Sequence, residues 1–523
     1  SFTNSRLTYI IHAMSVEKTD RGNDKRRTPT YGTEIEKTFA KKDGDPHAVG
    51  ETYFDTLAEI KKSRGEKPTK KQIEGRTVSV TTPHGEEGLD NAFNLGESAT
   101  GPISESEGGL QRLHEVITQE LRDVGEALAA EGATIINMAN HPLIEITGDV
   151  YKRTVVPKLY YRYLNEFRGW NHEFGIDAAS QNSPSTGVEI GSAVDAVNTT
   201  LAAGPALIAL YANSPFKERE VTGLKENRLI IWEKMFQGAN EGDRRLSRMP
   251  QKPFADMRDY FQWMFAPDTE MFFALDAPDP KSAKTASRIV TIQGRPSLLE
   301  FLSKPEWEGT VYGGDERVGV VPRMEHLELH QYTQFAGARI RFALEKDGIS
   351  VQDFISAMQG KGDEIEKLFE GHAKYFYIEG RDPGANFPDK SIHDLPNGDL
   401  LARSVTISPS AIQAGLIRNQ GGMRRIFQKY SWSDLPGLRE ASIKSGLQGE
   451  YNGIKVKDFT DDIFDVAVEG LRPEEQWMLT YPAFVLSSQE NGADRALRLF
   501  ENLKQGTVAE RIQEVLRRRT IAL

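Results

Sequence analysis

Four short stretches carry residue types whose spacing could do chemistry. In Gly32-Thr33-Glu34-Ile35-Glu36-Lys37 two acids stand two positions apart. On an extended strand such positions share a face, so Glu34 and Glu36 point the same way. Adjacent carboxylates repel unless they are exposed or bridged by a cation, and hard oxygen donors suit Mg²⁺ or Mn²⁺. Glu325-His326-Leu327-Glu328-Leu329-His330 reads as a second strand. Its His326, Glu328 and His330 share one face, giving either three ligands toward a cleft or an ordinary solvated face. Arg323, Arg339 and Arg341 flank it. Positive charge beside acids is what a nucleotide and its metal require, although lone arginines serve equally as surface ion-pair partners. Asn213-Ser214-Pro215-Phe216 makes a turn after an apolar run. Arg228 beyond it could grip a carboxylate through two nitrogens, or simply belong to a helix end. Glu189 stands between Val188 and Ile190, either exposed or a ligand.

The elements that must position these residues follow from periodicity. Tyr31–Phe39 and Thr77–Thr82 alternate and read as strands, and Ala133–Met138 reads as a buried one. Tyr53, Phe54, Leu57 and Ile60 recur at helical spacing, as do Leu110, Leu113, Val116, Ile117, Leu121, Val124 and Leu128, with Gly132 as a stop. Ala193–Tyr211 reads as a core helix that Pro205 must kink or break. Ala277–Ser287 reads as a connecting segment, Val320–His330 as a strand and Arg339–Lys346 as a helix, with helical patterns dominant beyond Asp347. Three regions result: a polar arm over 1–30, a mixed core over 31–345 and a mainly helical region over 346–523.

Composition removes several function classes. The chain has 523 residues with 65 Lys+Arg against 76 Asp+Glu, a formal charge of -11. An acidic surface repels phosphate backbones, which argues against nucleic acid as a partner. With no cysteine, thiol nucleophiles, disulfides and Cys-ligated metals are excluded. The most apolar run, Leu201–Ala212, falls short of the roughly 20 residues of a membrane span, so a cytoplasmic protein without a membrane partner is expected. There is no Walker-type loop, dinucleotide-binding glycine triplet or HExxH.

In order along the chain, these elements resemble the glutamate–cysteine ligase family of the plant and proteobacterial type. Tyr31–Lys37 looks like the family's Gly-Thr-Glu-x-Glu-Lys strand, and Phe93–Ser98 with Gly101-Pro102 is similar to its Phe-Glu-Leu-Ser-Gly-Ala-Pro stretch. Pro157-Lys158 with Tyr160 or Tyr161 resembles a Pro-Lys-x-x-Tyr element. Ala209–Phe216 with Gly223, Arg228 and Trp232 matches best, and Pro322–Glu328 looks like the strand ending Tyr-Leu-Glu-Met-Arg. The resemblance implies an α+β, glutamine-synthetase-like fold: an antiparallel sheet forming a funnel, packed with helices, with a helical C-terminal third. It implies an ATP-dependent ligase using Mg²⁺ or Mn²⁺ to join glutamate to an amine, by default cysteine, through an acyl phosphate. Small-molecule amino acids and amines are then the partners, and a homo-oligomer is left open. Glu34, Glu328 and Arg228 are the implied catalytic residues. Metal ligands would be Glu34, Glu36, Glu97, Glu189 and Glu328. Substrate or ATP contacts would be Lys158, Asn213, Arg228, Arg323, His330, Arg339 and Arg341. Three departures stand out: Asn94 where the family has a metal-binding Glu, Glu189 where it has Gln or His, and His330 where an Arg follows the last Glu. They leave room for a different amine or acid, or for a degenerate binding relative.

Overall fold

A strand buried on both faces must be covered from above and below, and Thr30–Lys41 (β1) is such a strand, twelve residues long and buried at nine of them. It sits in the middle of a large antiparallel sheet. The computed structural model describes residues 29–177, 179–265, 267–274 and 286–523. Nearly all of the expected N-terminal arm and most of the Ala277–Ser287 connection therefore lie outside the described residues.

After β1 come β2 (Thr69–Ile73), β3 (Arg76–Thr82), β4 (Gly85–Leu89), β5 (Leu95–Thr100), β6 (Ile103–Ser104) and β7 (Ala133–Ile135). Then follow β8 (Asn182–Val188), β9 (Ala338–Leu344) and β10 (Ala373–Gly380). Their order is β9-β10-β8-β1-β5-β4-β3-β2, with β6 and β7 also paired to β1. Register places Glu36 opposite Glu97 and Glu34 between Ala99 and Ser183. On the far side Arg339 faces Glu379, and Arg341 faces Tyr377.

Helices cover the sheet. Helices α1 (Glu51–Ser63) and α2 (Gly109–Ala129) form where the spacing placed them: α2 buries Leu110, Leu113, Ile117, Leu121, Val124 and Leu128 on one stripe, with Val116, like Ile60 of α1, only half-buried at its margin. Helix α3 (Ile190–Tyr211) is unbroken through Pro205, so of the expected kink or break the break does not occur. Pro205 forfeits one backbone bond, but every residue from Ala196 to Tyr211 is buried, and packing on all sides holds the helix together. At 22 residues α3 is also long and apolar enough to cross a membrane, which the shorter apolar run did not suggest, and it lies inside the fold.

Two assignments made from the sequence are corrected. Glu325–His330 belongs to helix α4 (Met324–His330), not to a strand. Five of its seven side chains are buried, and the two that are not, Glu325 and Glu328, stand three apart on one helical face, too short a pattern to set a period. Arg339–Lys346 is not helical, since β9 covers Ala338–Leu344. Its Ile340, Phe342 and Leu344 are buried at period two, the alternation of a strand. The region beyond Asp347 is mainly helical, but it also supplies β10, which inserts between β8 and β9.

Residues 519–522 run back into the sheet region. Ile521 N donates to Ile135 O at 2.9 Å and Ala522 N to Pro388 O at 2.9 Å. The buried Arg519 guanidinium donates to Asn213 Oδ1 at 3.0 Å and to Asp389 at 3.3 Å.

Buried histidines make a prediction about acid. Burial pushes His141 and His330 down to about 3 and His326 to about 4. Unfolded, each takes up a proton near pH 6.5. The folded state then binds fewer protons than the unfolded one, so stability is full above about pH 6.5 and falls as pH drops toward the folded values. Urea midpoints measured from pH 7 to 5 should decline steadily. A flat profile would contradict the neutral burial of these rings.

Candidate active site

Three carboxylates converge on one face of the sheet. Glu36 leaves β1, Glu97 leaves the paired position on β5, and Asp90 follows the end of β4. One oxygen from each lies within 4.8 Å of the others. Glu36 is 7% exposed and is gripped from behind by Gln181, whose backbone N–H and Nε2 donate to its two oxygens at 3.0 and 3.3 Å. Burial pushes the Glu36 carboxyl well up, and the charges of Asp90 and Glu97 push it further, against the opposing pull of Arg381 and Arg228. Asp90 is fixed by its surroundings. Lys158 Nζ donates to Leu89 O and Asp90 O at 3.0 and 2.9 Å, and the Tyr161 hydroxyl donates to Asp90 Oδ1 at 3.1 Å. A set of three hard oxygen donors, one of them driven toward its protonated form by the other two, fits a divalent cation of the Mg²⁺ or Mn²⁺ kind.

Across the same face, three guanidinium groups surround one carboxylate. Glu379 on β10 is fully buried. Arg339 donates to it through Nε and an Nη at 2.9 and 2.7 Å and Arg381 at 2.9 Å, and Arg341 Nε forms an ion pair with it at 3.2 Å. These cations hold the Glu379 carboxyl well below the usual carboxylate range despite its burial. Rings orient the arginines: Arg381 lies over Phe335 at 5.1 Å and Arg341 over Tyr332 at 4.7 Å. Three cations on one anion make a positive cradle beside the acidic trio, and such a cradle stabilises phosphoryl or carboxylate oxygens.

Two cavities share Tyr332 as a wall. The narrow one holds Glu34, Glu36, Asp90, Glu97, Arg339 and Arg381 among Tyr160, Tyr161, Trp170, Trp232 and Phe335. The larger, of about 730 Å³, is lined by Arg323, Glu328, Arg341, Lys374, Tyr375 and Tyr377.

The structure brings together only part of the set read from the sequence. Glu34, Glu36, Glu97 and Arg339 line the narrow cavity, and Arg323, Arg341 and Glu328 the larger one. Because α4 is a helix, Glu328 does not stand beside His326 and His330 on one face, and its Oε1 accepts from Leu344 N at 3.2 Å. His330 is turned inward, with Nε2 at Met264 O (3.2 Å) and its ring against Phe265. Glu189 is exposed between β8 and α3, apart from the acidic trio. Arg228 is buried, with its guanidinium donating to Glu226, Gln181 Oε1 and Asp382 O at 3.3, 3.2 and 2.8 Å. It thus supports Gln181, which holds Glu36. Lys158 binds backbone oxygens, and Asn213 bridges Asn137 and Ala385 in the core. Asn94 donates to Ile176 O at 2.9 Å instead of joining the carboxylates.

Asp90, Glu379 and Arg381 were missed. Nothing periodic marks Asp90. A signal for the other two existed: Tyr377-Ile378-Glu379-Gly380-Arg381 repeats the Tyr-x-Glu-x-Arg spacing that had been set on Pro322–Glu328.

Residues 30–269 match a family model described as glutamate–cysteine ligase family 2. No curated protein sequence matches the chain. Among solved structures, it is similar to a Francisella tularensis glutamate–cysteine ligase in complex with AMP. The identity is 10%, covering 95% of this chain and 89% of that one, with a TM-score of 0.48. It is also similar to a bifunctional glutathione synthetase from Pasteurella multocida, at 11% identity, covering 94% of this chain and 52% of that one, with a TM-score of 0.40.

Proposed function

Over residues 30–269 this chain matches glutamate–cysteine ligase family 2, and from that premise we propose that it is an ATP-dependent ligase joining a carboxylate to an amine. Glutamate and cysteine are the default pair. The observation that carries the reading is the pairing, on one sheet face, of the Glu36–Asp90–Glu97 trio with the arginines gathered on Glu379. The catalytic core is residues 31–345 completed by β10, and the face of the sheet serves as the wall of a glutamine-synthetase-like funnel. The larger cavity takes the nucleotide and the narrow one the acid and the amine.

In the reaction, the γ-carboxylate of glutamate attacks the γ-phosphorus of ATP, the bond to ADP breaks and an acyl phosphate forms. The amine nitrogen then attacks the acyl carbon, and inorganic phosphate leaves. Glu36, Asp90 and Glu97 would hold a divalent cation, which would supply charge neutralisation for the phosphates. Arg339, Arg341 and Arg381 face the developing negative charge and orient the two anions for in-line attack. Glu34, beside them in the same cavity, accepts the proton lost by the amine. Trp170, Trp232 and Phe335 keep water from the acyl phosphate. No protein nucleophile is required, in keeping with a chain without cysteine.

The aromatic wall of the narrow cavity favours a second reading, with the same chemistry on an acceptor bulkier than cysteine. Phosphate release from ATP with Mg²⁺ and glutamate, adding single amino acids and amines in turn, separates the two. Stimulation by cysteine alone supports the default pair, and stimulation by a larger amine supports the second reading. A metal-loaded protein that neither binds nor hydrolyses ATP with any acceptor would overturn both.

A further inference from the structure

The three carboxylates repel one another, so something other than their own chemistry must keep the strands that carry them in register. Beneath them, on the opposite face of the sheet, stands one fully buried lysine. Lys37 is 0% exposed. Its Nζ donates to Ile35 O on β1 at 3.2 Å, to Glu87 Oε2 on β4 at 2.8 Å and to Ser98 Oγ on β5. Ser98 in turn donates to Glu87. One ammonium thus ties three strands at the level where each presents a carboxylate upward. Glu36 precedes Lys37, Glu97 precedes Ser98, and Asp90 follows the strand that carries Glu87.

Register makes the correspondence tight. Glu36 pairs with Glu97 and Lys37 with Gly96, while Glu87 pairs with Ser98 and Gly88 with Glu97. Gly96 leaves the space open: a Cβ there would come within 3.0 Å of Glu87 Oε1 and would press still closer on the Phe39 ring. A side chain at that position would push apart the groups that meet on Lys37.

We infer that Lys37 is a positioning residue: through Glu87 and Ser98 it holds Glu36, Glu97 and Asp90 at the spacing that binds a divalent cation. This rests on the reading of that trio as the cation site. A supporting residue of this kind typically changes metal affinity by about 10- to 100-fold when removed.

The test is Mn²⁺ alone titrated into the full chain and followed by electron paramagnetic resonance. Lys37→Met should raise the Mn²⁺ dissociation constant about tenfold or more. The substitution leaves Glu87 buried without its ammonium; where it is not recovered folded, Ser98→Ala decides, since it cuts the tie to β5 and keeps the Lys37–Glu87 pair. It should weaken Mn²⁺ binding in the same direction by a smaller factor. Tyr53→Phe is the control. The Tyr53 hydroxyl donates to Glu87 Oε1 at 2.9 Å from α1, so its loss loosens the core but leaves the three-strand tie. It should lower the melting temperature and leave the Mn²⁺ constant unchanged. Folded Ser98→Ala that binds Mn²⁺ like the wild type would overturn the inference, as would Tyr53→Phe weakening Mn²⁺ binding equally. A wild-type protein that binds no Mn²⁺ would instead bring down the cation reading, and this inference with it.

Discussion

Glu97→Gln should lower the ATP-dependent phosphate release expected of the proposed ligase by about a thousandfold, the scale for removing a charge at the centre of a preorganised site. The amide keeps the shape of the side chain and removes its charge, so the effect is electrostatic. It also has an opposite sign in the metal-free protein. Glu36 is held up by burial and by the charges of Asp90 and Glu97. Two unit charges at the trio's spacing repel by on the order of 3 kcal/mol at an effective dielectric constant of 20. A carboxyl whose folded value is raised costs stability above its unfolded value near 4.3, and that cost disappears as pH falls below it. Removing the Glu97 charge relieves part of this cost at neutral pH. Without divalent cations, Glu97→Gln should therefore melt at a higher temperature than the wild type. With Mg²⁺ the order should reverse, because only the wild type gains. Thermal melts with EDTA and with Mg²⁺ check both signs together. A variant that melts lower than the wild type in EDTA would show that the trio is not under mutual repulsion.

The second large effect is expected at Glu379. Glu379→Gln leaves Arg339, Arg341 and Arg381 clustered without the anion that gathers them. Breaking a buried ion pair from one side costs about 3–5 kcal/mol, because the remaining charge stays desolvated. The wild-type carboxyl sits below its usual range, so its contribution is present above about pH 4.3 and fails only in stronger acid. Expected are a marked drop in melting temperature at pH 7 and loss of phosphate release. Sulfate is an anion of the kind the arginines should accept. Replacing chloride by sulfate at equal ionic strength should restore part of the lost melting temperature in the variant and do less for the wild type. Equal responses would mean that the arginines do not form an anion cradle.

Residues on long, regular elements were the ones legible in the sequence. Glu34 and Glu36 shared a face because β1 alternates over its whole length, and the stripe of α2 was plain from Leu110 to Leu128. Short or wholly buried pieces were not legible. In α4 the histidines and leucines are buried together, so Glu325–His330 fits a strand as well as a turn and a half of helix. In β9 the alternation of Arg339 and Arg341 with Ile340 and Phe342 is a strand signal, but it lasts only four residues before Ala343 and Leu344 end it. Placing these two elements wrongly set His330 beside Glu328 on one polar face, whereas Glu328 lines the larger cavity and His330 is buried against Met264 and Phe265. Asp90 is a loop residue whose position depends on Lys158 and Tyr161, about seventy positions away in the chain, a relation that exists only after folding.

The insertion of β10 between β8 and β9 also sets a timetable for synthesis. As the chain leaves the ribosome, β1, β8 and then β9 emerge, but the slot between β8 and β9 can close only when residues 373–380 follow. Until then the nascent sheet has two unpaired rims facing one another, each able to pair with a wrong strand or with a neighbouring chain. Since Glu379 arrives with the closing strand, Arg339 and Arg341 wait for their counterion over the same interval. A longer delay between the emergence of β9 and that of β10 should therefore favour aggregates over folded protein.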